Sequence, residues 1–301
     1  MVSAGSRPRP VGVLGRLRPY VALTKPRIIE LLLVTTLPTM IVAARGFPSV
    51  GLMAATLGGG TLAAGGANAF NMYLDRDIDR LMRRTRHRPL VTGDVTPAAT
   101  LVFATLLEVV AFVELWTAVN LLSAVLAVSA TLFYVFVYTL WLKRTSKQNI
   151  VIGGAAGAVP VLVGWSAVTG HLAWAPVVMF GIIFVWTPPH FWALAVRYRD
   201  DYAAAEVPMM PVVMSMGATA RRIVAYTVAL WVLSVALGPV AGLGALYLSV
   251  AGVLGAVFLA RSIQLLRSGS SDHAMKLFGY SITYLTVLFV AMAGDVLLHH
   301  P

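Results

Sequence analysis

Cysteine is absent from the 301 residues. That excludes disulfides, thiolate metal sites and thioether attachment of haem, and leaves the compartment open. Charge is the second scarcity. Only 12% of residues are charged, where an ordinary soluble domain carries about 25%. Acids are scarcest, with 12 Asp and Glu against 23 Lys and Arg. What fills the chain instead is apolar: 58% hydrophobic residues, a mean hydropathy of +0.81, and 26 glycines suited to close helix packing in lipid.

Uncharged runs cover 46–74, 115–142, 148–196 and 223–260. A spanning helix needs about 20 apolar residues, so the sequence reads as an all-α polytopic membrane protein. Nine spans fit, near 28–44, 50–73, 96–117, 120–141, 150–168, 174–195, 222–238, 243–260 and 277–297. Turn residues such as Gly46-Phe47-Pro48 and Thr169-Gly170-His171 separate them. With the N-terminus on the cytoplasmic side, 22 of the 23 basic residues fall inside and only Arg45 falls outside. The expected topology is N-terminus inside and C-terminus outside. The net charge of +11 then serves membrane orientation, and no nucleic-acid partner is expected.

Residues 1–19, rich in Arg, Pro and Gly and free of acids, read as a disordered cytoplasmic tail before a single transmembrane domain at 20–301. A mitochondrial transit peptide shares that composition, but the expected location is a bacterial plasma membrane rather than the mitochondrial inner membrane. No cleaved signal peptide is expected, because no compact apolar core with a small-residue cleavage site follows.

The few acids are not scattered. Asn71, Asp75 and Asp79 recur at i, i+4 and i+8 at the end of the second span, forming one row along a helix face. Oxygen ligands in a row suit Mg²⁺, which takes carboxylates together with substrate phosphates. Asp77 falls off the row and is expected to pair with Arg76 or Arg80. Arg83, Arg84, Arg86 and Arg88 follow as fixed cations. Carboxylates for a metal beside cations for an anion form the pattern that binds a diphosphate and stabilises its departure. A loop that only orients the protein needs Lys and Arg and gains nothing from carboxylates in register.

A second polar patch spans 187–210. Pro188 and Pro189 are expected to kink or interrupt the sixth span. His190 lies within that span, where polar residues are costly; the bland reading is a hydrogen bond to a neighbour or to freed backbone near Pro188. Arg197, Arg199, Asp200, Asp201 and Tyr202 sit at its cytoplasmic end. With Lys143, Arg144 and Lys147 they can form a second metal or diphosphate wall, although topogenic charge explains Lys147 equally well. Glu108 and Glu114 read as helix–helix hydrogen bonds, and Asp295 as an interfacial residue.

The Asn71-Asp75-Asp79 motif resembles that of the UbiA superfamily of intramembrane prenyltransferases. The stretches LTKPRI (Leu23–Ile28), Asn71–Gly93, Lys143–Trp165 and Trp186–Tyr202 make the chain similar, within it, to the protohaem IX farnesyltransferase (haem O synthase) family. The resemblance is strong over about residues 20–215. TPPHFWAL with YRDDY is the more specific part. It implies nine helices around a central cavity open to lipid, capped by polar residues on the cytoplasmic side. It implies Mg²⁺ held by Asn71, Asp75, Asp79 and Asp201, of which Asp75, Asp79 and Asp201 would be catalytic. Asn71, Arg84, Arg88, Lys143, Arg197, Arg199 and Tyr202 would bind substrate. His190 would contact haem, through iron or through a propionate. The wider superfamily places an Asp four residues before the second-motif Asp; here Arg197 stands there, so a second full set of metal ligands is not expected.

The implied reaction joins farnesyl diphosphate to a vinyl group of haem B, with addition of water, to give haem O. The lipid bilayer is the implied setting, and a haem A synthase or an oxidase assembly factor the implied protein partner. The rival readings are a sibling prenyltransferase acting on a quinone or chlorophyll precursor, a secondary transporter, and a structural assembly factor. The second would show inverted repeats, which are not evident; the third would not need the acidic row.

Overall fold

The structure, a computed structural model, describes residues 13–299; within them the side chains of 13–16, 27, 28, 31 and 32 are not described. It is helical throughout, as a chain that must satisfy its backbone inside lipid is obliged to be. Helix α1 is Val13–Thr24 and α2 is Pro26–Ala44. Helix α3, Val50–Leu74, leads into the short α4, Arg76–Leu81, and α5, Pro89–Thr92. Then come α6, Pro97–Ala118, and α7, Leu121–Thr145, whose stretch Phe133–Leu142 is π-wound. Helix α8 is Asn149–Thr169 and α9 is Trp174–Arg197, followed by the short α10, Arg199–Ala204, and α11, Met210–Val213. Last are α12, Met216–Ala241, α13, Ala245–Ser268, and α14, Ser271–His299.

Local sequence accounts for the ends. Side chains of Ser49, Thr96, Asn120 and Ser215 accept hydrogen bonds from the first-turn amides of α3, α6, α7 and α12. Gly170 and Gly242 close α8 and α12 with φ of 73° and 63°, a left-handed conformation that glycine adopts without penalty.

Eight helices among the described residues are long and apolar enough to cross a membrane, one fewer than expected from the sequence. The difference lies at 28–44. That segment is helical within the 19-residue α2, of which Leu33–Ala44 is the apolar stretch among the described residues. The protein is a multi-pass membrane protein. The first twelve residues of the expected tail lie outside the described residues. Residues 13–19 are helical in α1, and Tyr20 sets this helix edge-on against Phe103 of α6.

The long helices form two linked rings. In the first, α2, α3, α6, α7 and α8 touch in turn and α8 closes on α2. In the second, α9, α12, α13 and α14 do the same, and α14 closes on α9. Contacts of α8 with α9 and of α14 with α2 join them. The densest apolar core fills the second ring, around the fully buried Trp192, Tyr247, Phe258, Tyr284 and Phe289. Asp295 is not interfacial. It is 1% exposed and accepts from the amides of Gly244 and Tyr247, capping α13 from a neighbouring helix. Pro188 and Pro189 do not interrupt α9, which runs through both. Just before them, the Thr187 hydroxyl donates to the Ile183 carbonyl.

Candidate functional site

Successive helices alternate direction, so the C-terminal ends of α3, α7 and α9 meet the N-terminal ends of α2, α6, α8 and α12 in one polar cap. Asn71, Asp75 and Asp79 line it, 3%, 0% and 2% exposed. Such burial of three polar groups demands partners, and each is supplied by a different element. The Asn71 amide nitrogen donates to Asp75 Oδ2 (2.8 Å) and to Thr139 Oγ1 of α7 (3.1 Å). Lys25, between α1 and α2, donates from Nζ to Asn71 Oδ1 at 2.7 Å. Lys143 pairs with Asp75 Oδ2, and Arg88 with Asp79 Oδ2 at 2.6 Å. The expected row of three is therefore present, and Lys143 and Arg88 join it.

The rest of the cap is built differently from expectation. Asp77 pairs with neither Arg76 nor Arg80. Arg144 grips it with two hydrogen bonds of 2.7 Å, which hold its carboxyl down at a pKa of about 2. Arg76 turns back onto the Tyr73 ring instead. Asp201 is buried and bonded at 3.0 Å to the exposed Arg83, tying the loop after α4 to the second patch. No group of three or more His, Asp or Glu among the described residues is placed to hold a metal by itself, so Asp201 is not gathered with Asp75 and Asp79 into one carboxylate cluster. Arg84 stacks 5.5 Å over the Tyr198 ring, Arg197 and Arg199 are exposed, and Tyr202 packs with Ile78 and Met82.

One atom stands out. Asp75 Oδ1 is buried and has no hydrogen-bond partner among the described residues. An unpaired carboxylate oxygen in a closed site is expensive unless a cation completes it. The donor set here, two carboxylates and an amide oxygen, consists of hard oxygens, and Mg²⁺ uses few protein ligands and leaves positions for substrate phosphates. The residues present fit that ion.

Four residues at the site escaped the sequence reading. Lys25 counted there only as a topogenic charge. Its backbone is left-handed at φ 53°, an uncommon conformation for a residue with a side chain, and it places the ammonium beside Asn71. Burial and the nearby Arg88 lower its pKa to about 7. Thr139 is reached only because α7 is π-wound: its hydroxyl donates five residues back to the Tyr134 carbonyl and accepts from Asn71. Tyr134 and Tyr138, stacked with centroids 5.4 Å apart, share that winding. No signal in the sequence marks a π segment.

His190 lies apart from the cap, in α9. Its ring is stacked between Trp186 (4.2 Å) and Phe278 (4.6 Å), and its Nδ1 is 2.7 Å from Ser281 Oγ on α14. It does not bond to backbone near Pro188. Glu108 accepts from Thr131 of α7, as a helix–helix bond should, and lies over Gly66, where a Cβ would come within 2.6 Å of its carboxylate.

Comparison with known proteins bears on this geometry. A model of the UbiA prenyltransferase family matches residues 32–292. The chain belongs to that family. A protein of Frankia alni named protoheme IX farnesyltransferase is 54% identical over 281 residues, covering 92% of this chain and 97% of that protein. One of the same name from Clavibacter michiganensis is 51% identical over 292 residues, covering 96% and 95%. Among solved structures, a digeranylgeranylglyceryl phosphate synthase shares the fold with a TM-score of 0.78 at 16% identity, covering 94% of this chain and 99% of that one. A UbiA homolog from Archaeoglobus fulgidus bound to GPP and Mg²⁺ does so with a TM-score of 0.66 at 17% identity, covering 93% and 99%.

Proposed function

We propose that the protein transfers the farnesyl group of farnesyl diphosphate to a vinyl group of haem B and adds water, giving haem O and diphosphate. The observation that carries the chemistry is the Asn71-Asp75-Asp79 row, closed by Lys25, Lys143 and Arg88 around an unpaired carboxylate oxygen. The relatives at half identity or more over nearly the whole chain support the choice of acceptor.

In this reading the cap holds the diphosphate, with Lys25, Lys143, Arg84 and Arg88 on its oxygens and Arg197 and Arg199 at its outer rim. Asn71, Asp75 and Asp79 would hold Mg²⁺, which when bound would supply positive charge to the departing diphosphate. The bond between farnesyl C1 and oxygen breaks, and both electrons leave with the diphosphate. The vinyl group attacks C1. Water then captures the cation formed next to the porphyrin and loses a proton. Asp201 holds Arg83 and so fixes the second wall, where Tyr202 packs. The prenyl chain runs among the apolar helices, which keep water from the allylic cation. The haem lies deeper, against His190. Nζ of Lys25 and the cap face the cytoplasm, in a bacterial plasma membrane, and haem O passes to a haem A synthase or an oxidase assembly factor.

The test is a purified-membrane assay with haem B and radiolabelled farnesyl diphosphate. Label should appear in haem O and depend on Mg²⁺. Asp75→Asn and Asp79→Asn should each remove turnover, while the protein still inserts. Transfer to a quinone precursor with none to haem would overturn the acceptor, and full rates in chelator would overturn the role of the acidic row.

A further inference from the structure

Around His190 the hydrogen-bond directions can be worked out. Ser281 Oγ has two neighbours, the Phe278 carbonyl oxygen at 2.6 Å and His190 Nδ1 at 2.7 Å. A serine hydroxyl has one proton to give. A carbonyl can only accept, so two oxygens 2.6 Å apart require that proton to lie between them. Ser281 therefore donates to Phe278 and accepts from His190, whose Nδ1 must carry its hydrogen. In a neutral imidazole the other nitrogen, Nε2, then has a free lone pair and no hydrogen. Trp186 and Phe278 fix the plane of the ring, and a flip within that plane would turn a ring carbon towards Ser281 and lose the hydrogen bond. The Trp186 indole also donates to the Ser281 backbone carbonyl at 2.8 Å, locking that wall to the same turn of α14.

We infer that Ser281 is a positioning residue that holds His190 as the Nδ1–H tautomer, presenting a bare Nε2 lone pair to the iron of the porphyrin substrate and not to a propionate. This rests on the haem reading above. A propionate is an acceptor and needs an N–H; a bare Nε2 offers none. Iron needs a lone pair, and a ligating imidazole is ordinarily held through its other nitrogen by an acceptor. Here a serine hydroxyl, itself directed by a carbonyl, fills that place.

The experiment compares binding of haem B and of iron-free protoporphyrin IX to the detergent-purified protein, by visible absorption and fluorescence, with farnesyl diphosphate affinity as the control for folding. The wild type should bind haem more tightly than the iron-free ring and show an imidazole-ligated spectrum. His190→Ala should abolish that preference and that spectrum, and added imidazole should restore the spectrum. Ser281→Ala should weaken haem binding about threefold to tenfold, the effect of one lost hydrogen bond, and leave protoporphyrin binding unchanged. Ser281→Thr, which keeps the hydroxyl, should retain the haem preference. Equal weakening of both rings by His190→Ala would mean a propionate contact and overturn the inference. So would unchanged haem binding and spectrum in Ser281→Ala, or equal loss for both rings in Ser281→Ala and Ser281→Thr. If the wild type binds neither ring while still binding farnesyl diphosphate, the haem reading itself fails.

Discussion

Lys25 shows what a single position can hold. Its left-handed backbone is a strain that only surrounding structure sustains, and the return is an ammonium set against Asn71, Arg88 and Lys143. Burial, then Arg88, depresses its pKa from 10.5 to about 7. Between pH 7 and about 10.4 the unfolded chain keeps this proton while the folded protein has shed it. Unfolding then takes up a proton, so stability rises with pH across that window; below pH 7 both states are protonated and the slope vanishes. Thermal unfolding of the metal-free protein in detergent should show a midpoint that climbs from pH 7 towards pH 10, and Lys25→Met should flatten the climb. A midpoint independent of pH in the wild type would mean that Lys25 is charged in the resting site. The sequence could not reveal this residue's part, because Lys next to Pro26 at a span entrance is indistinguishable from any topogenic lysine. The Asn71-Asp75-Asp79 row was legible because helical spacing alone puts those side chains on one face. Asp77 was misread for the complementary reason: local spacing offered Arg76 and Arg80, but the partner, Arg144, lies 67 positions away on another helix.

At the scale of elements, the long helices were legible from apolar runs and turn residues, and their expected ends agree with the structure to within a few residues at most positions. The winding of α7 was not. The π stretch Phe133–Leu142 re-aims Thr139 towards Asn71 and ends at Lys143, so it sets the register of one wall of the cap. It is held from outside by α8. Gly153 lies under Tyr138, where a Cβ would stand 2.2 Å from the ring. The clash is with the root of a stacked ring, which cannot swing away cheaply. Gly153→Ala should therefore cost about 1–3 kcal/mol by overpacking and lower activity by displacing the π segment. Gly157, four residues along the same helix, has open space around it. Gly157→Ala should be neutral, or stabilising by up to about 1 kcal/mol through helix propensity. Thermal midpoints and turnover of the two variants, measured side by side, decide the matter. Equal behaviour would mean that α8 does not fix the winding.

For the molecule as a whole, function depends on which way the cap faces. The proposed reading places it on the cytoplasmic side, and two observations support that placement. The basic residues divide 22 to one across the expected spans. The acids that define the site are tied to those same basic residues: Asp75 to Lys143, Asp77 to Arg144, Asp79 to Arg88 and Asp201 to Arg83. Topogenic charge and chemical charge are thus one set of residues, and neither can change sides without the other. Helix α2 fits this logic. Lys25 at its start bonds into the cap, while Arg45 at its end reaches the Gly242 carbonyl between α12 and α13, at the opposite end of the bundle. The helix connects the two faces. The absence of native cysteine makes this checkable with single engineered thiols. Ala98, exposed beside the cap, and Phe47, 71% exposed in the loop after α2, mark the two ends. Phe47 suits the purpose better than Ser49, which caps α3. In intact cells an impermeant maleimide should label Phe47→Cys and spare Ala98→Cys until a permeant reagent or lysis admits it. Labelling in the reverse pattern would put the diphosphate site on the outer face, away from any cytoplasmic supply of prenyl diphosphate, and would remove the topological footing of the proposed reaction.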